Sequence, residues 1–277
     1  MALPERTPFS DIASLIRGVT WPVMPEVGVA LIRTMNDDSA DTATICRIIR
    51  QDPALTATLL RMANSALFGL SGSVNTLERA ISVVGVSMVR TRALSLCMAR
   101  GSQFPAGMDR MAFWRYSLMC ASVAQWLGAR CKVNAQEAWL CGMMLRLGGL
   151  SIVQARPEHL GAIESDTNAP GERWVNQRLL VGFDEGEVTA ELAQHWDFPP
   201  SLVAALRYCA QPLRSSPMSE LAAVLHLAAR LADSGSVTFK SVADLPSLLL
   251  QLMAIDPQAL LVGPPEPPSP TDVALFK

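Results

Sequence analysis

The side chains with which this sequence could do hydrolytic or metal chemistry are few. There are three histidines, His159, His195 and His226, and six cysteines, at positions 46, 97, 120, 131, 141 and 209. A hydrolytic metal site needs several histidines or carboxylates that converge, commonly an adjacent His-Asp or a His pair one helical turn apart. No histidine here is followed by Asp, and none has a second histidine at i+3 or i+4. His195 and His226 fall on amphipathic helical patterns and read as structural. No two cysteines form a C-x-x-C pair, so the six read as reduced core thiols, which points to a cytoplasmic location. Neither a G-x-S-x-G elbow nor a phosphate-cradling G-x-x-x-x-G-K-[ST] loop is present. The paired carboxylates Asp37-Asp38 and Glu185/Glu187 read as solvated or capping groups. The chain is therefore expected not to be an enzyme, with no catalytic residue, no metal and no cofactor.

Half of the 277 residues are hydrophobic, so a sizeable core is within reach. A net charge of -2 and a pI near 5.9 do not point to nucleic acid or to an anionic membrane surface. Arginines concentrate at Arg79, Arg90, Arg92, Arg100, Arg110 and Arg115, a run that reads as solvated helix faces. Its sparse aromatics argue against a single-strand stacking platform. The charge-free stretch Tyr116 to Ala129 is too short to span a bilayer, and the first residues carry no signal-peptide pattern.

Helical spacing dominates. Asp52 and Pro53 suit a helix start, and Leu55, Leu59, Met62 and Ala66 then line one face, with Gly69 and Gly72 ending the region. Asn75 and Glu78 resemble a capping box, Leu77, Ile81 and Val84 line the next helix, and Gly85 is placed to end it. Further helices are expected over about 87–100, 110–131, 135–153, 200–209, 217–233 and 241–254. Another should open at Asp184 and Glu187, run to Trp196 and stop at Pro199-Pro200. No alternating pattern suggests a sheet. The Pro-rich run 263–270 reads as an extended spacer.

One block is specific. Asp52-Pro53-Ala54-Leu55 through Leu59 to Asn64-Ser65-Ala66-Leu67-Phe68-Gly69 resembles the signature of the HDOD family, bacterial signalling domains related to HD phosphohydrolases. Trp21-Pro22-Val23-Met24-Pro25, Thr76 to Gly85, Phe113-Trp114-Arg115, Cys141 to Leu145 and His195 to Pro199 extend the likeness over about residues 10–235. The resemblance implies an all-α fold: a multi-helix N-terminal lobe (1–105) packed on a degenerate HD-like helical bundle (106–240), followed by a C-terminal helix and Pro-rich tail (241–277). Asn64 and Ser65 then read as caps that turn the chain towards Phe68-Gly69, or as an exposed interaction surface.

Departures from the pattern bear on function. Where catalytic HD relatives carry their His-Asp dyad, this chain has Leu145-Arg146. Tyr116 stands where relatives place a histidine, Asp184-Glu185 where a ligand precedes the Trp-x-x-Pro helix end, and Tyr208-Cys209 at a His-His pair. An aliphatic chain cannot ligate a metal, and a guanidinium would repel one. The leading expectation is a non-catalytic signalling output or adaptor module that works by protein–protein contact. Its partners by resemblance are receiver domains, kinases or cyclic-dinucleotide enzymes. An alternative is a nucleotide or cyclic-dinucleotide sensor in the vestigial cleft, with Arg146, Arg115 and Tyr116 as anion contacts. A third is residual metal-dependent phosphohydrolase activity.

Overall fold

Capping chemistry explains where this chain turns helical. The computed structural model describes residues 9–37, 40–65, 74–164 and 169–276, and among them there are helices and no strand. In the first half these are α1 (Ile12–Ile16), α2 (Glu26–Arg33), α3 (Thr42–Ile49), α4 (Pro53–Ala63), α5 (Leu77–Val84) and α6 (Val86–Gly101). The second half adds α7 (Arg110–Arg130), α8 (Ala135–Met144), α9 (Leu147–Ala155), α10 (Leu160–Ile163), α11 (Glu172–Val181), α12 (Glu185–His195), α13 (Pro200–Arg207) and α14 (Glu220–Asp233). Three short helices, α15 (Phe239–Ala243), α16 (Ser247–Leu252) and α17 (Pro270–Ala274), complete the chain. Side chains of Asp11, Asp41, Asp52, Asp109, Asn134, Asp184 and Ser219 accept amide protons that the first turns leave unpaired.

Four expectations need correction. The cap of α5 is Thr76, whose hydroxyl accepts from the Arg79 amide, so Asn75 and Glu78 form no capping box. The apolar run 135–153 is two helices, broken at Leu145-Arg146. Pro246, which lacks a donor and disfavours helix in the residue before it, divides 241–254 into the end of α15 and the whole of α16. The Pro-rich run is not a free spacer. It leads into α17, where Val273 is fully buried and Phe276 is 1% exposed. Phe276 stacks on Trp114 with ring centroids 5.7 Å apart, joining Phe104 and Phe113 in one aromatic cluster.

α7 is the spine. Its 21 residues bury Phe113, Trp114, Leu118, Cys120, Val123 and Leu127, and it packs against α8, α14 and α17. The loop between α6 and α7 falls at the expected lobe boundary, yet one core runs across it from Met24 to Phe276. α1, read as part of the first lobe, packs instead on the second: Leu15 joins Ile152, Ile163, Val181 and Val188. Five of the six cysteines are buried, and all are free. Burial pushes the Cys97 thiol up to about 12. Residues 135–155 are apolar enough to cross a membrane by composition, but most of that run is buried inside the protein.

Gly85 makes the corner between α5 and α6 with φ +87° and ψ 151°, a conformation essentially reserved for glycine. The specific block holds the next turn. Asp52 caps α4 and also accepts from Arg100 at 2.7 Å, Pro53 takes the first helical position, and Leu59 is buried. The Ser65 hydroxyl donates to the Met62 carbonyl at 2.8 Å. The Asn64 amide accepts from the Val74 N–H at 2.8 Å and donates to the Val74 carbonyl at 2.7 Å, so one side chain ties both backbone groups of Val74 to the end of α4. Phe68, Gly69 and Gly72 lie outside the described residues. Asn64→Ala strands both Val74 groups and is expected to cost about 1–3 kcal/mol in urea unfolding. A loss within about 0.5 kcal/mol, the range of neutral surface changes, would refute the clasp.

Candidate functional site

The break between α8 and α9 sends consecutive side chains in different directions. Leu145 is fully buried in the apolar core, while Arg146, 4% exposed, enters a cluster of charges. What brings this break against α12 is Gly148. A Cβ there would lie 2.3 Å from the Glu185 carbonyl oxygen, so no other residue fits without shifting backbone. Thr189 on α12 fixes the contact: its hydroxyl accepts from the Gly148 N–H and donates to the Leu145 carbonyl, both at 2.8 Å.

Glu185 is the centre of the cluster and is completely buried. Its Oε1 accepts from Arg173 Nε at 3.0 Å. Its Oε2 accepts from Gln177 Nε2 at 3.1 Å and lies 3.7 Å from Arg146 Nε. Arg173 also donates to Asp233 Oδ1 at 3.0 Å and to the Tyr116 hydroxyl at 2.8 Å. Arg146 pairs in addition with Glu164. The Tyr116 ring lies near both guanidinium carbons, 4.8 Å from Arg146 and 4.6 Å from Arg173. Two guanidinium groups thus face three carboxylates, from α9's leading edge, α10's trailing edge, α11, α12 and α14. Burial pushes Glu185 up, but Arg173, Arg146 and the Gln177 hydrogen bond outweigh it and hold the carboxyl below its usual value.

These residues do not fit a divalent metal ion. The Glu185 and Asp233 oxygens are directed at Arg173, Gln177 and the Gly171 amide, the last at 2.8 Å from Asp233 Oδ2. Guanidinium groups offer donors only. Among the described residues no three His, Cys, Asp or Glu side chains converge as a ligand set. Of the three expected anion contacts, the structure joins Arg146 and Tyr116, while Arg115 is exposed on α7 outside the cluster. Arg146 is already engaged by two carboxylates, which leaves little charge to offer an anion. Sequence reading missed Arg173, Glu164 and Asp233. Their one local signal is Arg173 and Gln177 at i and i+4, on the face that meets Glu185.

The two further histidines considered for a site differ. His226 on α14 is buried, and its Nδ1–H donates to the Cys209 carbonyl at 2.9 Å. His195, expected to be structural, is exposed and meets Trp21 edge-on at 5.0 Å. Burial pushes His226 down to about 4, with Arg230 adding to the shift and the Cys209 and Asp233 contacts opposing it. The unfolded chain takes up this proton near 6.5, well before the folded one does, so stability falls as pH drops from about 6.5 towards 4. The full effect is about 3 kcal/mol. Asp184 has the opposite sign. Burial and the Glu187 charge push it up to about 6, so its contribution is present at acid pH and lost as pH rises through that value. Subtracting the urea-stability curve of His226→Gln from that of the wild type removes the shared Asp184 term. A difference flat between pH 4 and 6.5 would contradict the assignment.

The sequence profile of the HDOD domain matches residues 21–212. A solved structure from Shewanella amazonensis SB2B, named as a candidate phosphohydrolase, is 25% identical with a TM-score of 0.73, covering 95% of this chain and 93% of its own. Another, from Marinobacter aquaeolei VT8 and named as a candidate signal transduction protein, is 22% identical with a TM-score of 0.69 over 87% of this chain and 55% of that one, a likeness of fold. A curated relative from Treponema pallidum (strain Nichols), called an uncharacterized protein, is 24% identical over 192 residues, 68% of this chain. The chain spans about 37% of that relative's length.

Proposed function

This chain belongs to the HDOD family, and we propose that within it the protein is a non-catalytic signalling module that acts through contacts with other proteins. The observation that carries this reading is the ionic cluster around Glu185, where the guanidinium groups of Arg146 and Arg173 take up the carboxylates, and it includes Arg146, Tyr116 and Glu185, positions at which the resemblance puts the metal ligands of catalytic relatives. On this reading a phosphohydrolase name on a neighbour of the same fold is not carried over to this chain. A nucleotide sensor built on Arg146 has less support, because Glu164 and Glu185 already neutralise that side chain.

A contact surface is available at the seam of the two lobes. Trp21, Pro22, Val23 and Met24 from the first lobe and His195, Trp196 and Asp197 from the second line a groove of about 310 Å³. Val23 is 72% exposed there, which makes its side chain accessible to a partner. Receiver domains, kinases and cyclic-dinucleotide enzymes are the partners this reading favours. Free, buried thiols fit the reducing cytoplasm in which such partners work.

Two measurements test it. Purified protein is incubated with manganese, iron or nickel, desalted, assayed for bound metal and then offered phosphodiester substrates. Substoichiometric metal and background hydrolysis are expected, and stoichiometric metal with turnover would end the non-catalytic reading. In parallel, signalling proteins captured by the wild type are compared with those captured by Val23→Asp. Loss of the same partners is expected, and unchanged capture would move the contact away from the groove.

A further inference from the structure

A cavity of about 420 Å³ lies between α14, α16 and the turn that follows α13. Ala210, Pro212, Leu213, Pro246, Leu248 and Leu249 make its walls, of which Leu213 is 51% and Leu248 54% exposed. That volume is in the range of small-molecule pockets, which combine an apolar lining with a few placed polar groups. Here the placed group is His226 on α14, 8% exposed, whose ring is part of the lining. Two contacts fix that ring. Nδ1 faces the Cys209 carbonyl at 2.9 Å, and the Trp174 ring packs on the imidazole with centroids 5.2 Å apart. A carbonyl oxygen can only accept, so Nδ1 carries the proton and Nε2 keeps its lone pair. Burial pushes the His226 pKa down to about 4, so the ring is neutral at pH 7 and Nε2 stays an acceptor. Among the described residues nothing donates to Nε2, and it is not sealed from solvent.

We propose that this cavity binds a small neutral aromatic molecule with one hydrogen-bond donor, of the phenol or indole class, its donor on His226 Nε2. A pure hydrocarbon in the cavity strips water from Nε2 and returns nothing, whereas a hydroxyl or ring N–H restores the hydrogen bond. A rigid ring also offers a large contact area with little rotational freedom to lose. Pro212 and Pro246 give it the kind of apolar surface that aromatic rings dock against. The other polar groups of the lining are Gln211 and Arg214, both exposed, with Arg214 donating to Gln211 Oε1 at 3.0 Å. They give an anion no buried partner, so the ligand is neutral.

This site is independent of the adaptor reading, since it shares no residue with the Glu185 cluster or with the groove at the lobe seam. Calorimetric titration of the full chain at pH 7 uses phenol and indole as probes. Benzofuran, which has the shape of indole with oxygen in place of N–H, and benzoate are separate arms. Saturable binding of indole or phenol is expected, with benzofuran weaker than indole, and benzoate weaker than phenol, by about tenfold or more. His226→Phe removes the acceptor and should erase the preference for indole over benzofuran. Because His226 is buried, Leu248→Arg provides a second variant at an exposed wall position. It should weaken both probes by about tenfold or more, and thermal melts verify that each variant folds. No saturable binding of either probe up to millimolar concentration overturns the proposal. So does benzofuran as tight as indole, benzoate as tight as phenol, or affinity unchanged in folded Leu248→Arg.

Discussion

Arg173→Met is expected to lower the unfolding free energy by about 3–5 kcal/mol, because it leaves Asp233 without its cation and the buried Glu185 with Arg146 alone, at 3.7 Å. Arg173 is the group through which Glu185, Asp233 and Tyr116 are joined, at 3.0, 3.0 and 2.8 Å. The Glu185 side chain is completely buried and that of Asp233 is 8% exposed, so water cannot take the arginine's place. The double variant Arg173→Met, Glu185→Gln removes one stranded charge and keeps an acceptor for Gln177. It should recover a large part of the loss. If it is as unstable as the single variant, the loss comes from packing around the arginine stem and not from charge.

The same pair of proteins reports on pH. In the wild type the Glu185 carboxyl is held below its ordinary value, so its contribution is present above about 4.5 and is lost as pH falls through the folded value. In Arg173→Met burial acts with less opposition, and protonation relieves a charge instead of breaking a pair. The stability difference between the two proteins should therefore shrink on acidification below neutral pH. Urea titrations at intervals from pH 7 to pH 4 read this directly, and a difference independent of pH would count against the electrostatic account. Terms common to both proteins, those of Asp184 and His226 among them, cancel in the subtraction.

Phe276→Ala should cost about 3–5 kcal/mol, the range for removing a buried aromatic side chain. Its ring, 1% exposed, stacks on Trp114 within the cluster that also holds Phe104 and Phe113, and Arg110 donates to its carbonyl at 3.4 Å. For a domain of this size such a loss lowers the melting temperature by roughly 10 °C. A free tail would give a change within about 0.5 kcal/mol. Hydrogen exchange adds a local readout. Amides of α17 should be protected in the wild type and exchange quickly in the variant, since the anchor of the C-terminal strap is then gone. Equal exchange in both would show that the strap is held by its other contacts.

Much of the fold could be read from the sequence because its determinants are local. Asp52 and Pro53 start α4, the Asp184–Glu187 capping box starts α12, and Gly85 turns the chain between α5 and α6. Each depends on backbone groups within a few residues. The HDOD signature was legible for the same reason, as a contiguous block whose Asn64 reaches only ten positions on, to Val74. So was the absence of histidine at positions 116, 145–146, 184–185 and 208–209, which is a matter of residue identity.

How the residues at these positions pair was decided in three dimensions. Arg146, Glu164, Arg173, Glu185 and Asp233 are spread over five segments, and no spacing rule links them. They meet because Gly148 lets the start of α9 approach α12 to backbone contact, where Arg146, a candidate anion contact under the alternative reading, pairs with Glu164 and Glu185. The tail follows the same logic. Proline content correctly forbids helix over 264–268, but composition is silent on docking, which rests on the fit of Phe276 to an aromatic cluster more than 160 residues earlier in the chain. Helix ends are set by short-range hydrogen bonds that the sequence states outright, whereas buried charge pairing and aromatic packing depend on distances between segments that only the packed chain defines.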